Sequence, residues 1–100
     1  MHINVSGHHI DLTQGMRDAV LNRFSKVESH FPQLDQLSIT LTVDKSEQKV
    51  DANTLFLGRA VSVQASDGDM YHAIADAAKK LNSALEHHKG ARTKRRAAQH

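Results

Sequence analysis

Apolar and polar positions recur along this chain with periods that divide it into six elements. Ile3 and Val5 alternate with His2, Asn4 and Ser6, the period-two pattern of a short strand, ending at Gly7. Met16, Val20, Phe24, Val27 and Phe31 then recur at helical spacing and form one apolar stripe. Thr13 stands before them, where its hydroxyl accepts an otherwise unpartnered amide hydrogen of the first turn. Pro32 bars continuation of this helix, because it pushes its predecessor out of the α region.

Leu37, Ile39, Leu41 and Val43 alternate with Ser38, Thr40 and Thr42, the clearest strand in the sequence, buried on one face and polar on the other. The polar run Asp44–Lys49 predicts a loop. A third strand follows at about Val50–Leu57, where Leu55-Phe56-Leu57 is apolar on both faces, so the register is ambiguous and a bulge is allowed. Gly58-Arg59 predicts a tight turn into a fourth strand, with Val61, Val63 and Ala65 pointing one way and Ser62 and Gln64 the other. Asp67 or Asp69 caps a last helix whose stripe is Met70, Tyr71, Ile74, Ala77, Ala78, Leu81 and Leu85, with Gly90 as its expected stop.

The order β-α-β-β-β-α predicts an α+β two-layer sandwich. Its strand–helix–strand opening implies a parallel pair, and its later tight turns imply antiparallel pairs, hence a four-stranded mixed sheet. Two helices with one apolar stripe each cover one sheet face. The other face, with Ser38, Thr40, Thr42, Ser62 and Gln64, stays wet. At 100 residues this is one domain, enough for a core that removes roughly 65 % of the unfolded surface from water.

Composition narrows the chemistry. Cysteine is absent, which excludes disulfides and thiolate metal sites and suits a reducing cytoplasm. No apolar run nears the ~20 residues of a membrane span, and Met1-His2-Ile3-Asn4 does not open like a secretory signal. The eight histidines invite a metal reading, but His8-His9 and His87-His88 are neighbours that point to different sides. His72 and Asp76 stand one helical turn apart, yet two ligands leave a zinc site half built. They read as solvated surface histidines. No nucleophile elbow, buried acid pair or phosphate-cradling glycine loop is present, so neither an enzyme, a cofactor nor a small-molecule substrate is expected. Four aromatics, most of them core candidates, give little for base stacking.

Charge is distributed unevenly. All eleven acids lie between Asp11 and Glu86, so residues 1–88 carry a net −3 and residues 89–100 carry +5. On the last helix Lys79 and Lys80 straddle the polar face. Arg23, Lys26 and His30 lie along one flank of the first helix, with Arg17 on the other, and Lys45 and Lys49 stand in the expected loop. Arg92, Lys94, Arg95 and Arg96 follow Lys89 with no acid among them, and such a run repels itself and seeks a polyanion. Recognition of an RNA surface through phosphates and 2′-hydroxyls needs only this chemistry.

These features coincide with a known family. The segment Asp69-Met70-Tyr71-His72-Ala73-Ile74-Ala75-Asp76, followed by Leu81, Leu85 and a basic end, resembles the opening of the last helix in the ribosome hibernation factors, also called the sigma-54 modulation or ribosome-associated inhibitor family. The opening Ile3-Asn4-Val5-Ser6-Gly7, leading through Asp11-Leu12-Thr13 to the Arg17-bearing helix, resembles that family too, and the likeness covers residues 1 to 90.

The resemblance implies a fold like the double-stranded-RNA-binding domain with an added strand. It implies a ribosome-binding α/β domain over residues 1–90, with 91–100 as a basic, disordered tail. The expected activity is binding to the small ribosomal subunit and its rRNA near the decoding centre, in the channel used by mRNA and tRNA. By family analogy Arg17, Arg23, Lys26, Lys79, Lys80 and Lys89 face the RNA, while Arg92, Lys94, Arg95 and Arg96 are added from charge alone. The basic ending looks like the short family type that acts with ribosome modulation factor to pair ribosomes and is monomeric off them. The acidity of residues 1–88 departs from the family's generally basic character. A generic double-stranded-RNA-binding module and a protein-interaction domain using the wet sheet face are the alternatives.

Overall fold

The computed structural model describes the backbone of residues 2–98 and the side chains of residues 3–88. Four strands, β1 (His2–His8), β2 (Leu34–Asp44), β3 (Glu47–Phe56) and β4 (Arg59–Asp67), form one sheet in the order β1-β2-β3-β4. The β1–β2 pair is parallel and the other two are antiparallel, so the expected mixed sheet is what forms. Helices α1 (Gln14–His30) and α2 (Met70–Ala98) lie on one face of it.

Each helix starts where its cap residue allows. Thr13 is extended, and its Oγ1 accepts the Met16 amide at 3.1 Å. Of the two candidate caps for α2, Asp69 does the capping, accepting from the Tyr71 amide at 3.2 Å. Asp67 braces the cap by accepting the Asp69 amide at 3.0 Å. Phe31 ends α1 with its amide bonded back to Val27 and Glu28, and its buried ring meets Phe56 edge-on at 5.6 Å. The α2 backbone continues past Gly90 to Ala98, so the expected stop is not taken. A helical glycine costs only about 1 kcal/mol relative to alanine, and the residues after it are mostly strong helix formers. The side chains of Lys89, Arg92, Lys94, Arg95 and Arg96 lie outside the described residues.

The core forms where the apolar stripes predict. Val20, Phe24 and Val27 of α1 meet Leu37, Ile39, Leu41, Val50 and Ala52 of the sheet, and Ile74, Ala77, Leu81 and Leu85 of α2 complete it. Tyr71 departs from its expected packing role: it is 49 % exposed, while Ala73, outside the expected stripe, is fully buried.

The third strand's register is settled by Phe56, which points inward with Val50, Ala52 and Thr54 and leaves Leu55 exposed. The irregularity lies in β2, not β3: between Leu34 and Leu37 the partner strand advances one residue fewer. Thr54 is the one polar side chain in the buried set among the described residues, and its hydroxyl donates to the Gln36 carbonyl in that bulge. Two turns also differ from expectation. Only Lys45 and Ser46 separate β2 from β3, because Glu47 and Lys49 continue the strand with their side chains on its wet side. The β3–β4 turn is Leu57-Gly58, both at positive φ (53° and 79°), with Arg59 already paired to Phe56. Positive φ at both central residues suits the right-handed twist of a two-residue hairpin.

The second sheet face carries aligned polar rows, Ser6, Thr40, Asp51 and Gln64 lying opposite one another across all four strands. Its groups largely bond each other: Ser6 to Thr40 at 3.3 Å, Ser62 to Asn53 at 2.6 Å and Gln64 to Asp51 at 2.5 Å.

Candidate nucleic-acid interface

The two helices run in the same direction. Near their N-termini the Tyr71 hydroxyl lies 2.9 Å from the position a Cβ on Gly15 would take, and towards the far end of α1, His30 Nδ1 lies 3.3 Å from Asn82 Oδ1. Between these points an open cleft of about 790 Å³ separates α1 from α2. Val27, Ala75 and Ala78 line it with apolar surface, and the two alanines leave it room. Arg23 and Lys26 line it from α1, Lys79 from α2.

Helix geometry explains why these cations meet. Arg23, Lys26 and His30 are spaced i, i+3 and i+7, so they share one flank of α1, beside the buried stripe of Val20, Phe24 and Val27. Lys79 follows Ala75 and Ala78 by four residues and one. Among the described residues, Arg23, Lys26 and Lys79 have no carboxylate within ion-pair distance; the three ion pairs found join His72 to Asp67 (4.0 Å) and Asp69 (3.7 Å), and Lys80 to Asp76 (4.0 Å). Asp67 and Asp69 gather at the N-terminal end of the cleft around His72, and Asp76, which also lines it, pairs with Lys80, so Arg23, Lys26 and Lys79 stay without an ion pair among the described residues.

The structure thus brings together three of the expected RNA-facing residues, Arg23, Lys26 and Lys79, and adds His30 and His72 to the same cleft. It does not bring Lys80 there. That side chain turns to the sheet edge, where Nζ donates to the Gln64 carbonyl at 3.1 Å beside its Asp76 partner. Arg17 is exposed and does not line the cleft either. The side chains of Lys89, Arg92, Lys94, Arg95 and Arg96 fall outside the described residues. Sequence reasoning did not single out Ala75 and Ala78 as cleft-forming, although small residues at i and i+3 on a helix flank are the available signal.

Fold and cleft together define a class: an α+β two-layer domain that presents a row of unpaired cations between parallel helices. The family model described as Sigma 54 modulation protein / S30EA ribosomal protein matches residues 3–93, and the chain belongs to that family. It is 40 % identical over 89 residues to a ribosome hibernation promoting factor of Pseudomonas putida, covering 89 % of this chain and 87 % of that protein. To the ribosome hibernation promoting factor of Azotobacter vinelandii it is 36 % identical over 99 residues, covering 99 % and 92 %. A ribosomal subunit interface protein from Coxiella burnetii superposes with a TM-score of 0.85 at 24 % identity, over 90 % of this chain and 99 % of that one, which bears on the fold.

Proposed function

We propose that this chain is a ribosome hibernation factor that binds the small ribosomal subunit near the decoding centre. By occupying the channel of mRNA and tRNA it stops translation reversibly, and with ribosome modulation factor it promotes inactive ribosome dimers in stationary phase. It works in the cytoplasm, as a monomer off the ribosome, and the reading includes no reaction, cofactor or small-molecule substrate.

One observation carries the docking part of this proposal: Arg23, Lys26 and Lys79 line one cleft without a carboxylate partner among the described residues. Unpaired cations held by two rigid helices suit a fixed pattern of phosphates, and phosphate contacts position a protein on RNA without reading its sequence. Relatives named as hibernation promoting factors at 36–40 % identity over most of the chain supply the target. The sheet face fits a protein-interaction role less well, since its polar groups already bond one another. The basic end adds affinity: deleting residues 91–100 removes four bases and should lower the salt slope of binding by roughly three, at ~0.7 per charge.

Cosedimentation with purified small subunits tests the proposal. Binding should be competed by tRNA and should exceed binding to free duplex RNA. Equal affinity for free duplex would support the generic RNA-binding alternative, and indifference to tRNA would remove the decoding-centre assignment.

A further inference from the structure

Tyr71, Ala75, Ala78 and Asn82 are spaced i, i+4, i+7 and i+11, so they form one column of α2 on the side that meets α1. Ala75, Ala78 and Asn82 line the cleft, Ala78 also packing into the buried core, and Tyr71 stands one turn before Ala75. Tyr71 opens the helix half exposed, yet its hydroxyl fills the space that a side chain at position 15 would occupy. Gly15 lies in the first turn of α1 with no positive φ, a place where glycine is among the poorest helix formers and where the backbone does not require it. A side chain at position 15 would displace the tip of this half-exposed ring.

At the other end, Asn82 gives Nδ2 to Glu86 Oε1 at 3.3 Å. That orients its amide, so Oδ1 faces His30 and accepts from Nδ1–H at 3.3 Å. At one end of the cleft, then, a hydrogen bond joins the helices, and toward the other the Tyr71 hydroxyl approaches Gly15.

We infer that Tyr71 and Asn82 are positioning residues: through Gly15 and His30 they fix the spacing and rotation of α2 against α1, so that Lys79 stands in register with Arg23 and Lys26. The inference rests on the proposed use of the cleft for ribosomal RNA, but its geometric half does not need RNA. A rigid pair of helices presents its cations at fixed separation. A loosened pair keeps the same charges but loses their match to phosphates.

The experiment uses Gly15→Ala, Asn82→Leu and Tyr71→Ala in the full chain. The chain has no cysteine, so spin labels at Ser25→Cys and Ser83→Cys report the α1–α2 distance in the free protein. Gly15→Ala and Asn82→Leu should shift or broaden that distribution, and for Gly15→Ala the melting temperature should be kept or raised, alanine being the better helix former. Without the labels, each variant should bind small subunits about five- to eightfold more weakly at 0.1 M salt, with a salt slope lower by about 0.7 to 0.9, the value of one lost phosphate contact. A distance distribution unchanged in both variants overturns the inference whether or not RNA binds. So does a loss of affinity in Tyr71→Ala that Gly15→Ala does not share, because the ring would then touch the ligand itself. If instead Arg23→Gln and Lys79→Gln leave small-subunit binding unaffected, the functional reading fails, while the distance measurement still decides the clasps.

Discussion

Lys79 and Lys80 are adjacent, carry the same charge and are both exposed, yet the structure gives them different work. Lys79 lines the cleft with no ion pair among the described residues, whereas Lys80 Nζ donates to the Gln64 carbonyl at 3.1 Å and lies 4.0 Å from Asp76. A helix turns about 100° per residue, so the neighbours look to different sides of α2. Replacing either by glutamine removes one positive charge, and net charge therefore cancels from the comparison. If Lys79 meets one phosphate, its loss lowers the salt slope by about 0.7 to 0.9 and the affinity at 0.1 M salt by about five- to eightfold. Lys80→Gln should change affinity less than about twofold and leave the slope in place, because a charge outside the cleft acts only through the general, salt-screened field. Binding to small subunits, titrated at four or more salt concentrations for wild type and both variants, separates the two. Equal losses for Lys79 and Lys80 would refute the reasoning, since they would show that net charge matters and the cleft does not.

Three predictions concern the fold that holds the cleft. Thr54→Val leaves the Gln36 carbonyl in the β2 bulge without its hydroxyl partner and should cost about 1 to 3 kcal/mol by urea denaturation; an unchanged midpoint would mean that water serves that carbonyl as well. Leu57 holds φ at 53°, a region that costs a branched side chain about 1 kcal/mol, so Leu57→Asn should raise stability by a comparable amount. A lower melting temperature would show that the leucine packs more than its exposure indicates. Thr13→Ala should cost about 1 kcal/mol through loss of the bond to the Met16 amide, with the change visible in amide exchange of the first turn of α1; equal exchange would leave the cap without an energetic role.

The strands and the buried faces of both helices were legible because period-two and helical spacing directly report which side of an element is buried. The inward run of Leu37, Ile39 and Leu41 follows from alternation alone. Polar character misled where strand and loop look alike: Glu47 and Lys49 suit a loop, but they sit equally well on the wet side of β3. Leu55-Phe56-Leu57, apolar on both faces, leaves the register ambiguous and allows a bulge in β3, where none forms. The bulge's actual place beside Asp35 and Gln36 depends on pairing with another strand, which local pattern does not contain. Candidate cations were found by type and flank. Their grouping needed the rotation of α2 relative to α1, set by Gly15, Tyr71, His30 and Asn82 across a separation of more than fifty residues. Gly15 is the sharpest case, since in sequence it is one of five scattered glycines and only the fold sets the Tyr71 hydroxyl against it.

In the proposed function, the cleft between α1 and α2 meets small-subunit RNA where mRNA and tRNA would pass. A chemical footprint of small-subunit RNA, taken with wild type and with the Arg23→Gln/Lys26→Gln/Lys79→Gln variant, tests it most directly. Protections should cluster at the decoding centre and vanish in the variant. Protections elsewhere, or the same protections with the three cations removed, would contradict it.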